Sequence, residues 1–304
     1  LRSLAAVCDT DEANLAASRK IHPEVLHSRH IAGILADRDI GAVAIATPAA
    51  THFDIARAAL WAGKDVFLEK PLALTAKKGQ ELVSSAAALS RILMVGHILN
   101  YHPAVVRLKE IIAAGEIGKI NYIYSNRLNL GKFRTEENIL WSFAPHDLSA
   151  LLYLLGEMPS GVTASGASQL NASILDTTLT NLEFPSGVKA HIFVSWLHPF
   201  KEQRLVVVGD GRMIVFNDLE PENKLVSYGH RIDWIDRRPV PCPETGRAIP
   251  VDGAEPWRIE CEHFLDCVGR RKTPRTDGET GLRILRILEA CQESLRDGSR
   301  LVML

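Results

Sequence analysis

Two short stretches of this sequence combine residue types that can exchange a proton. The first is Glu69-Lys70-Pro71, in which a carboxylate, an amine and a proline follow an apolar run of strand type. Pro71 cannot extend a strand ladder or donate a hydrogen bond, so the strand must end before it. Glu69 and Lys70 then lie at the carboxyl end of the strand, where open α/β sheets bind ligands. A strand-end ion pair beside a turn proline is the alternative interpretation.

The second stretch is Pro145-His146-Asp147, which precedes a predicted helix at Leu148–Leu155. Proline suits the first position of a helix. A helix N-terminus disfavours imidazolium, so His146 is predicted to be neutral and a competent base. The alternative is a helix-start histidine that bonds a loop carbonyl. Asp147 is expected to be a first-turn residue that complements the helix dipole.

The elements around Glu69 and Lys70 alternate between short apolar runs and helical stretches over the first third of the chain. This alternation predicts right-handed crossovers and a Rossmann-type parallel sheet, hence an α/β fold. The predicted strands are Leu4–Cys8, Val43–Ala46, Val66–Leu68 and Ile92–Val95. The predicted helices are Asp11–Arg19, His52–Ala62 and Lys77–Leu89, the last with Thr75 placed as its cap.

From about Lys119 onward the predicted strands follow one another closely. Tight turns at Pro185-Ser186-Gly187 and Gly209-Asp210-Gly211 join predicted hairpins. This pattern predicts an α+β domain with an open, mainly antiparallel sheet. The proline-rich stretch Arg237–Pro256 is expected to be a long loop.

The two patterns predict two domains. We expect a Rossmann-type domain at residues 1–98 and a substrate and oligomerisation domain at residues 99–304. Helices are predicted at Trp257–Val268 and Gly281–Leu295, and the helical segment 257–295 is expected to pack back on the first domain.

The composition argues against several classes of partner. The chain has 35 basic and 36 acidic residues, so it offers no strong field to nucleic acid or an anionic membrane. No apolar run reaches the roughly 18 residues of a membrane span. The five cysteines form no C-x-x-C pair, which argues against a zinc site and a disulfide framework. We therefore expect a cytoplasmic protein without a metal.

Five motifs together make this sequence resemble a known family. They are Val7-Cys8-Asp9, Thr47-Pro48-Ala49-Ala50-Thr51-His52, Glu69-Lys70-Pro71, Val95-Gly96-His97 and Pro145-His146-Asp147. Their order and approximate spacing resemble the glucose–fructose oxidoreductase / inositol dehydrogenase / MocA family. The resemblance implies a nicotinamide-dependent dehydrogenase of sugars or polyols, and a homo-oligomer that is a dimer or a tetramer. It also implies that the Lys70–Pro71 peptide bond is cis.

One motif of that family is missing. The family's first strand leads into a Gly-x-Gly-x-x-Gly turn and a helix that cradle the cofactor pyrophosphate. This sequence has no such turn, and it opens at Leu1, without methionine, directly before a strand-like run. We expect a truncated form that begins at the second strand of the fold and binds NAD poorly. Loss of the phosphate cradle is the alternative.

The resemblance assigns cofactor contacts to three of the motifs. Asp9, at the end of the first strand, would bond the adenosine ribose, and Thr10 rather than arginine after it favours NAD over NADP. A helix-capping aspartate is the alternative. Thr47, Pro48 and His52 would lie beside the cofactor; a plain turn capped by Thr51 is the alternative. Glu69 would face the nicotinamide ribose, next to Lys70.

The sequence carries fewer signals for the residues that would bind the substrate. Many relatives have an aspartate one helical turn before the histidine, where this chain has Ser142. Lys70 and His146 would therefore share the proton without a carboxylate partner. Tyr101 and His102 would line the substrate side, with packing as the alternative. A diphosphate clamp would use three basic residues, for which a solvated loop is the alternative: Arg127, Lys132 and Arg134.

The predicted reaction is hydride transfer from a sugar hydroxyl carbon to NAD, with Lys70 and His146 as the catalytic residues. The stretch Arg134–Trp141 resembles branches that act on nucleotide sugars, including UDP-N-acetylglucosamine 3-dehydrogenases. A free sugar or inositol is the alternative substrate. A non-catalytic sugar or nucleotide sensor is the alternative of another class, and the presence of both Lys70 and His146 argues against it.

Overall fold

The computed structural model describes residues 3–131 and 133–304. The chain divides into two compact units. One consists of the chain up to Gly96 together with Glu260–Leu282, and the other of His97–Ile259 with Arg283–Leu304. Each unit is described separately below.

The first unit alternates strands and helices along the chain. Its strands are β1 (Ala6–Cys8), β2 (Leu26–Ser28), β3 (Ala42–Ile45), β4 (Asp65–Glu69) and β5 (Leu93–Gly96). Its helices are α1 (Glu12–Ile21), α2 (Ile31–Ala36), α3 (Ala49–Trp61) and α4 (Ala76–Ala88). Strands β1 and β2 pair in parallel, and β3, β4 and β5 form a second parallel group in that order. The predicted parallel α/β sheet is therefore confirmed.

Strand β4 is the core of the first unit. Val66 and Leu68 are fully buried and Phe67 is 6% exposed, as expected for a central strand covered on both faces. Because β3, β4 and β5 run in parallel, their carboxyl ends lie at the same edge. Glu69, the last residue of β4, is therefore placed at the edge where ligands bind in such sheets.

A distant segment of the chain completes the first unit. Val95 N–H of β5 donates to Thr276 O over 2.8 Å, so this segment lies along β5. Gly281 is needed for the close approach, since a Cβ there would lie 2.8 Å from a Val95 methyl carbon. Arg271 donates to the buried Asp65 carboxylate over 2.6 Å and to Ser90 O over 2.7 Å. These contacts tie the segment to the starts of β4 and β5.

The second unit begins with a 3-10 helix, Ile98–Tyr101, and contains a large sheet with helices on one face. Two helices lie wholly within this unit, α5 (Pro103–Ala113) and α6 (Ile139–Leu155). Two further helices contribute residues to both units, α7 (Pro256–Arg270) and α8 (Gly278–Arg296). Its first strands are β6 (Ile120–Leu128), β7 (Gly161–Ala167), β8 (Thr177–Glu183), β9 (Lys189–Ser195), β10 (Glu202–Gly209) and β11 (Met213–Asn217). The remaining strands are β12 (Leu225–Tyr228), β13 (Arg231–Ile235), β14 (Arg238–Cys242), β15 (Arg247–Ala248) and β16 (Val302–Met303).

Nine of these strands form one sheet, in the order β15-β12-β11-β10-β6-β9-β8-β7-β16. All neighbours are antiparallel except β6 and β9. Helix α6 packs against β6, β8 and β9, which buries alternate residues such as Ile123, Thr180 and Ile192. The predicted open, mainly antiparallel sheet is confirmed, and so are both predicted hairpin turns.

Two sequence-based element assignments were wrong. Helix α6 begins at Ile139, with Asn138 as its cap, and not at Leu148. Pro145 lies inside this helix, where it cannot donate a bond to the Trp141 carbonyl, and the buried packing of α6 outweighs that loss. The supposed loop Arg237–Pro256 contains β14 and β15. Proline is tolerated in β14 because that strand is at the edge of a two-stranded sheet.

We expect Arg271→Ala to destabilise the first unit by about 2 kcal/mol, because it leaves the Asp65 carboxylate buried without its cation. Urea unfolding followed by circular dichroism measures this loss. Arg270→Ala is the matched control, since Arg270 pairs with Asp266 and both side chains are well exposed. The control should change stability by less than about 1 kcal/mol. Equal losses in the two variants would contradict a structural role for the Arg271–Asp65 pair.

Candidate active site

The carboxyl end of β4 presents a carboxylate packed against a glycine. Glu69 pairs in register with Gly96 of β5, and a Cβ on Gly96 would lie 3.2 Å from the Glu69 carboxyl carbon. Any side chain at position 96 would therefore displace this carboxylate. Burial raises the pKa of the Glu69 carboxyl, while the Lys70 N–H bond and the charges of Lys70 and His52 oppose the shift. The site thus holds a partly desolvated acid beside an amine.

His52 links two loops of the first unit. The imidazole is 1% exposed, and its Nδ1 lies 2.8 Å from Pro71 O while its Nε2 lies 2.8 Å from Thr47 O. Both partners are carbonyl oxygens, which can only accept. A neutral ring donates one of the two bonds and an imidazolium donates both. The predicted grouping of Thr47 and His52 is thus present, and His52 supports the backbone on either side of the ring.

The loop geometry settles two smaller expectations. The Lys70–Pro71 peptide bond is cis, as predicted. Thr51 lies inside α3, whose N-cap is Pro48, so the alternative of a turn capped by Thr51 was wrong. Pro48 and Thr47 therefore form the junction between β3 and α3, at the same edge as Glu69.

Asp9 lies directly after β1 and is held by its own loop. Its two carboxylate oxygens accept from Asp11 N over 2.8 Å and from Asn14 Nδ2 over 2.9 Å. These bonds lower the pKa of the Asp9 carboxyl. The cap of α1 is Asp11, so the alternative of a capping Asp9 was wrong. Arg29 Nη2 donates to Thr10 O over 3.0 Å, which places a guanidinium beside the residue that follows Asp9.

His146 and Ser142 lie one turn apart on α6, well inside the helix. The argument that a helix N-terminus keeps His146 neutral is therefore wrong, because α6 begins seven residues earlier, at Ile139. Ser142 is 4% exposed and His146 is half-buried. The spacing of four residues places both on one face of the helix, as predicted for a hydroxyl beside an imidazole.

Arg127 and Asp147 differ most from expectation. Asp147 is 1% exposed and accepts from Arg127 Nε over 2.9 Å, from Arg127 Nη2 over 3.2 Å and from Ser125 Oγ over 2.7 Å. Asp147 is thus a buried mid-helix anchor and not a first-turn dipole residue. Arg127 serves as its bidentate partner, since a buried carboxylate needs a nearby cation, and this removes Arg127 from the expected diphosphate clamp.

His102 also has internal partners. Its Nδ1 accepts from Ala104 N over 3.1 Å at the start of α5, so its proton lies on Nε2, which is 3.4 Å from Asp218 Oδ1. The His102 bond, together with Lys224, lowers the pKa of Asp218 to about 2. Tyr101 is 1% exposed. The observed contacts of His102 therefore match the alternative that this residue has a packing role and does not line the substrate side.

Two further basic residues were predicted for the diphosphate clamp, Lys132 and Arg134. Arg134 is half-exposed and lies 3.9 Å from Glu137 Oε1, which matches the solvated-loop alternative. Lys132 lies outside the described residues. Sequence reasoning missed Arg29, which bonds Thr10, and Gln203, whose amide lies between Arg127 and Asp218. The parallel β1–β2 register, in which Cys8 pairs with Ser28, brings Arg29 to the end of β1, and no motif in the sequence indicated this pairing.

A parallel strand unit with carboxylates at its strand ends has the arrangement in which open α/β sheets bind ligands such as dinucleotides. A family model described as "Oxidoreductase family, NAD-binding Rossmann fold" matches residues 2–97. A second model, "GFO/IDH/MocA C-terminal domain", matches residues 105–215. The chain belongs to the GFO/IDH/MocA family of oxidoreductases, whose members include dehydrogenases of sugars and inositols. The predicted family, fold and cofactor, NAD, are confirmed by these two family models.

Named relatives include inositol and sugar dehydrogenases. The scyllo-inositol 2-dehydrogenase (NAD(+)) of Bacillus subtilis is 28% identical over 87% of this chain and 78% of that protein. The UDP-N-acetylglucosamine 3-dehydrogenase of Acidithiobacillus ferrooxidans is 27% identical over 81% and 76%, respectively. A crystal structure of the A. ferrooxidans enzyme has a TM-score of 0.82 at 24% identity, covering 97% of this chain and 90% of that one. Levoglucosan dehydrogenase with NADH and L-sorbose has a TM-score of 0.84 at 21% identity, covering 98% and 89%.

Two further observations concern the described residues alone. None of the helices they form has the length and apolar character needed to cross a bilayer. Nor do three or more of their His, Cys, Asp or Glu side chains group in a way that would hold a metal ion.

We expect His52→Ala to destabilise the first unit by about 2–4 kcal/mol, because loss of the buried ring leaves a cavity and removes the partner of the Pro71 and Thr47 carbonyls. NAD affinity should fall as well, since Thr47 and Pro71 lose their common support. Urea unfolding and calorimetric titration with NAD measure the two effects. His27→Ala is the control, as its ring bonds only Ser18 Oγ and is half-buried. An unchanged free energy of unfolding in His52→Ala would contradict the role of His52 in linking the Thr47 and Pro71 loops.

Asp218 should make stability depend on acid pH. Its pKa falls from 3.8 to about 2 on folding, so the stabilisation of about 2 kcal/mol is present above pH 3.8 and is lost as the pH falls towards 2. We expect the advantage of the wild type over Asp218→Asn to shrink by about 1 kcal/mol between about pH 6 and about pH 3. Urea unfolding at both pH values tests this. A pH-independent difference would contradict the assignment.

Proposed function

We propose that this protein oxidises a ring hydroxyl of a nucleotide sugar, such as the 3-hydroxyl of UDP-N-acetylglucosamine, with NAD. Membership of an NAD-dependent sugar dehydrogenase family supports the reaction class. The 27% identity to a UDP-N-acetylglucosamine 3-dehydrogenase supports the substrate class. Inositol is the second candidate, because an inositol dehydrogenase relative matches at 28% over 87% of the chain. The engaged Arg127 argues against a clamp built on that residue.

The observation that carries the proposal is the end of β4. Lys70 follows a carboxylate whose pKa burial raises, at the edge of the sheet where ligands bind. Gly96 leaves room for the Glu69 carboxylate, so the residues present fit a nicotinamide ribose hydroxyl as their partner. Asp9, kept ionised by its loop, fits the adenosine ribose, and Thr47 and Pro48 flank the same edge as Glu69.

The proton step is assigned to Lys70 and His146. Oxidation of a carbinol removes a hydride from carbon and a proton from oxygen, and bound NAD supplies the hydride acceptor. The hydroxyl proton passes to the Lys70 amine or to the His146 imidazole, both of which exchange protons readily when neutral. Ser142 donates or accepts a hydrogen bond on the His146 face of α6 and adds no charge.

We expect Lys70→Ala and His146→Ala each to lower kcat about 10²–10⁴-fold with only a small change in KM, because general acid–base groups contribute on that scale. The protein is assayed by NADH absorbance against UDP-N-acetylglucosamine, myo-inositol, scyllo-inositol and free glucose. Lys77→Ala, an exposed lysine in the first turn of α4, is the control and should retain full activity.

Four outcomes separate the alternatives. Turnover of a nucleotide sugar with loss in both variants supports the proposal. Preference for an inositol would replace the substrate class and leave the chemistry intact. Binding of a sugar without NADH formation would indicate a sensor. Near-normal turnover in His146→Ala would mean that Lys70 alone accepts the hydroxyl proton.

We also propose that the protein is a cytoplasmic homo-oligomer. The five cysteines are free, as is usual in a reducing compartment. The sheet face opposite α6 exposes apolar side chains, including Tyr122 at 42% and Leu179 at 37%, and stacks Tyr124 on His191 at 5.3 Å. An apolar face of this kind favours packing against a second copy.

A further inference from the structure

Three polar residues stand side by side across three neighbouring strands of the second unit, in the order β6, β9, β8. Asn129 N donates to Ser195 O over 3.1 Å, one residue beyond the end of the β6–β9 ladder. Trp196 N donates to Asp176 O over 2.9 Å, one residue beyond the end of the β8–β9 ladder. Trp196 therefore has Asn129 on one side and Asp176 on the other, with about 5 Å between neighbouring strands.

This polar row, made of Asn129, Trp196 and Asp176, belongs to the face of the sheet that α6 covers. Every member stands an even number of positions from a residue that is buried under α6, and such positions share a face. The three reference residues are Ile123, Ile192 and Thr180. Trp196 is 1% exposed and Asp176 is 2% exposed. The row is thus part of the interior of the second unit.

Each member of the polar row has a buried atom that bonds no other described residue. These atoms are Asn129 Oδ1, Trp196 Nε1 and Asp176 Oδ1. The other oxygen of Asp176 accepts from Gln169 N over 2.6 Å and from Leu170 N over 3.0 Å, so this carboxylate is firmly held. A buried polar atom without a partner costs free energy, and native proteins contain few of them. Three in one row therefore indicate a site for a group that bonds them.

The donors and acceptors of the polar row select the chemical class of that group. The indole N–H donates, whereas the amide oxygen of Asn129 and the carboxylate of Asp176 accept. A hydroxyl both donates and accepts, so two neighbouring hydroxyls of a polyol match all three atoms. An ammonium ion offers nothing to the indole N–H, and the Asp176 carboxylate repels a phosphate. The row therefore fits the hydroxyls of an uncharged sugar or polyol ring.

The surroundings of the polar row also suit a sugar ring. The Trp196 ring meets Phe143 of α6 edge-on at 6.4 Å and Phe133 edge-on at 6.0 Å. Small-molecule sites typically combine such aromatic walls with a few converging polar groups. Phe143 lies three residues before His146, so the two side chains are neighbours on α6. A ring that presents one hydroxyl to His146 can thus present others to the row.

We propose that the polar row binds hydroxyl groups of the sugar ring that is oxidised, and that its three residues determine specificity for that ring. The hydroxyls donate to Asn129 and Asp176 and accept from Trp196 Nε1. The Phe133 ring, which is 41% exposed, turns outward to admit them. The inference rests on the proposed oxidation of a sugar hydroxyl, and it places the phosphates of a nucleotide sugar away from Asp176.

The indole N–H of Trp196 reports on this site directly. The chain has five tryptophans, and Trp196→Phe identifies the Trp196 signal in a proton–nitrogen correlation spectrum. The wild type is titrated with UDP-N-acetylglucosamine, N-acetylglucosamine, myo-inositol and UDP. We expect the Trp196 proton to move downfield with the sugar that is turned over, because a new hydrogen bond deshields it. UDP alone should leave this signal in place.

Steady-state kinetics give a second measurement. We expect Asp176→Asn and Trp196→Phe each to raise KM for the sugar about 10-fold and to change kcat less than about 3-fold, because each variant loses one hydrogen bond to the substrate. Thr178→Val is the matched control. Thr178 is fully buried two residues from Asp176 on the same face, and its hydroxyl also bonds no other described residue. This control should leave KM unchanged.

The outcomes are distinct. A Trp196 signal that moves with no sugar means that the polar row holds only buried water, and it overturns the inference. An equal rise of KM in Thr178→Val and Asp176→Asn overturns it as well. Circular dichroism confirms folding, and Trp196→Phe carries the kinetic test should Asp176→Asn fail to fold. NADH formation without a moved signal counts against the row, whereas a moved signal without NADH formation counts against the proposed dehydrogenase.

Discussion

The His52 imidazole connects the loops that follow two neighbouring strands of the first unit. Its nitrogens bond the carbonyls of Thr47, after β3, and Pro71, after β4, in a nearly water-free position. Both loops carry residues proposed to meet the cofactor, and neither is part of the regular sheet. The bridge therefore fixes the spacing of the loop ends at the edge where Glu69 and Lys70 emerge. Gly96 completes this arrangement by leaving room for the Glu69 carboxylate.

In the second unit, the buried carboxylate of Asp147 has a comparable role. Asp147 of α6 bonds Ser125 and Arg127 of β6, which joins the helix to the middle of the sheet. Gln203, with its amide oxygen towards Arg127, links this pair to Asp218 at 3.3 Å on each side. Asp218 in turn meets His102 at the start of α5. A continuous polar network thus orients α6, and with it Ser142 and His146, against the sheet.

Patterns local to the chain predicted much of this architecture. Pro71 after a buried strand located the end of β4, and Thr75 was correctly placed as the cap of α4. Local patterns failed where tertiary packing outweighed propensity. Pro145 was read as a helix start because proline favours that position, yet packing of α6 on the sheet keeps it inside the helix. The Arg127–Asp147 pair joins residues 20 positions apart, and no sequence spacing indicates it.

The central claim is that this protein removes a hydride from a sugar carbon and gives it to NAD. The most direct measurement uses a sugar substrate deuterated at the reacting carbon and mass spectrometry of the recovered nucleotide. We expect singly deuterated NADH, together with a primary isotope effect on the chemical step. A turnover that yields unlabelled NADH, or an oxidised sugar without any reduced nucleotide, would contradict it.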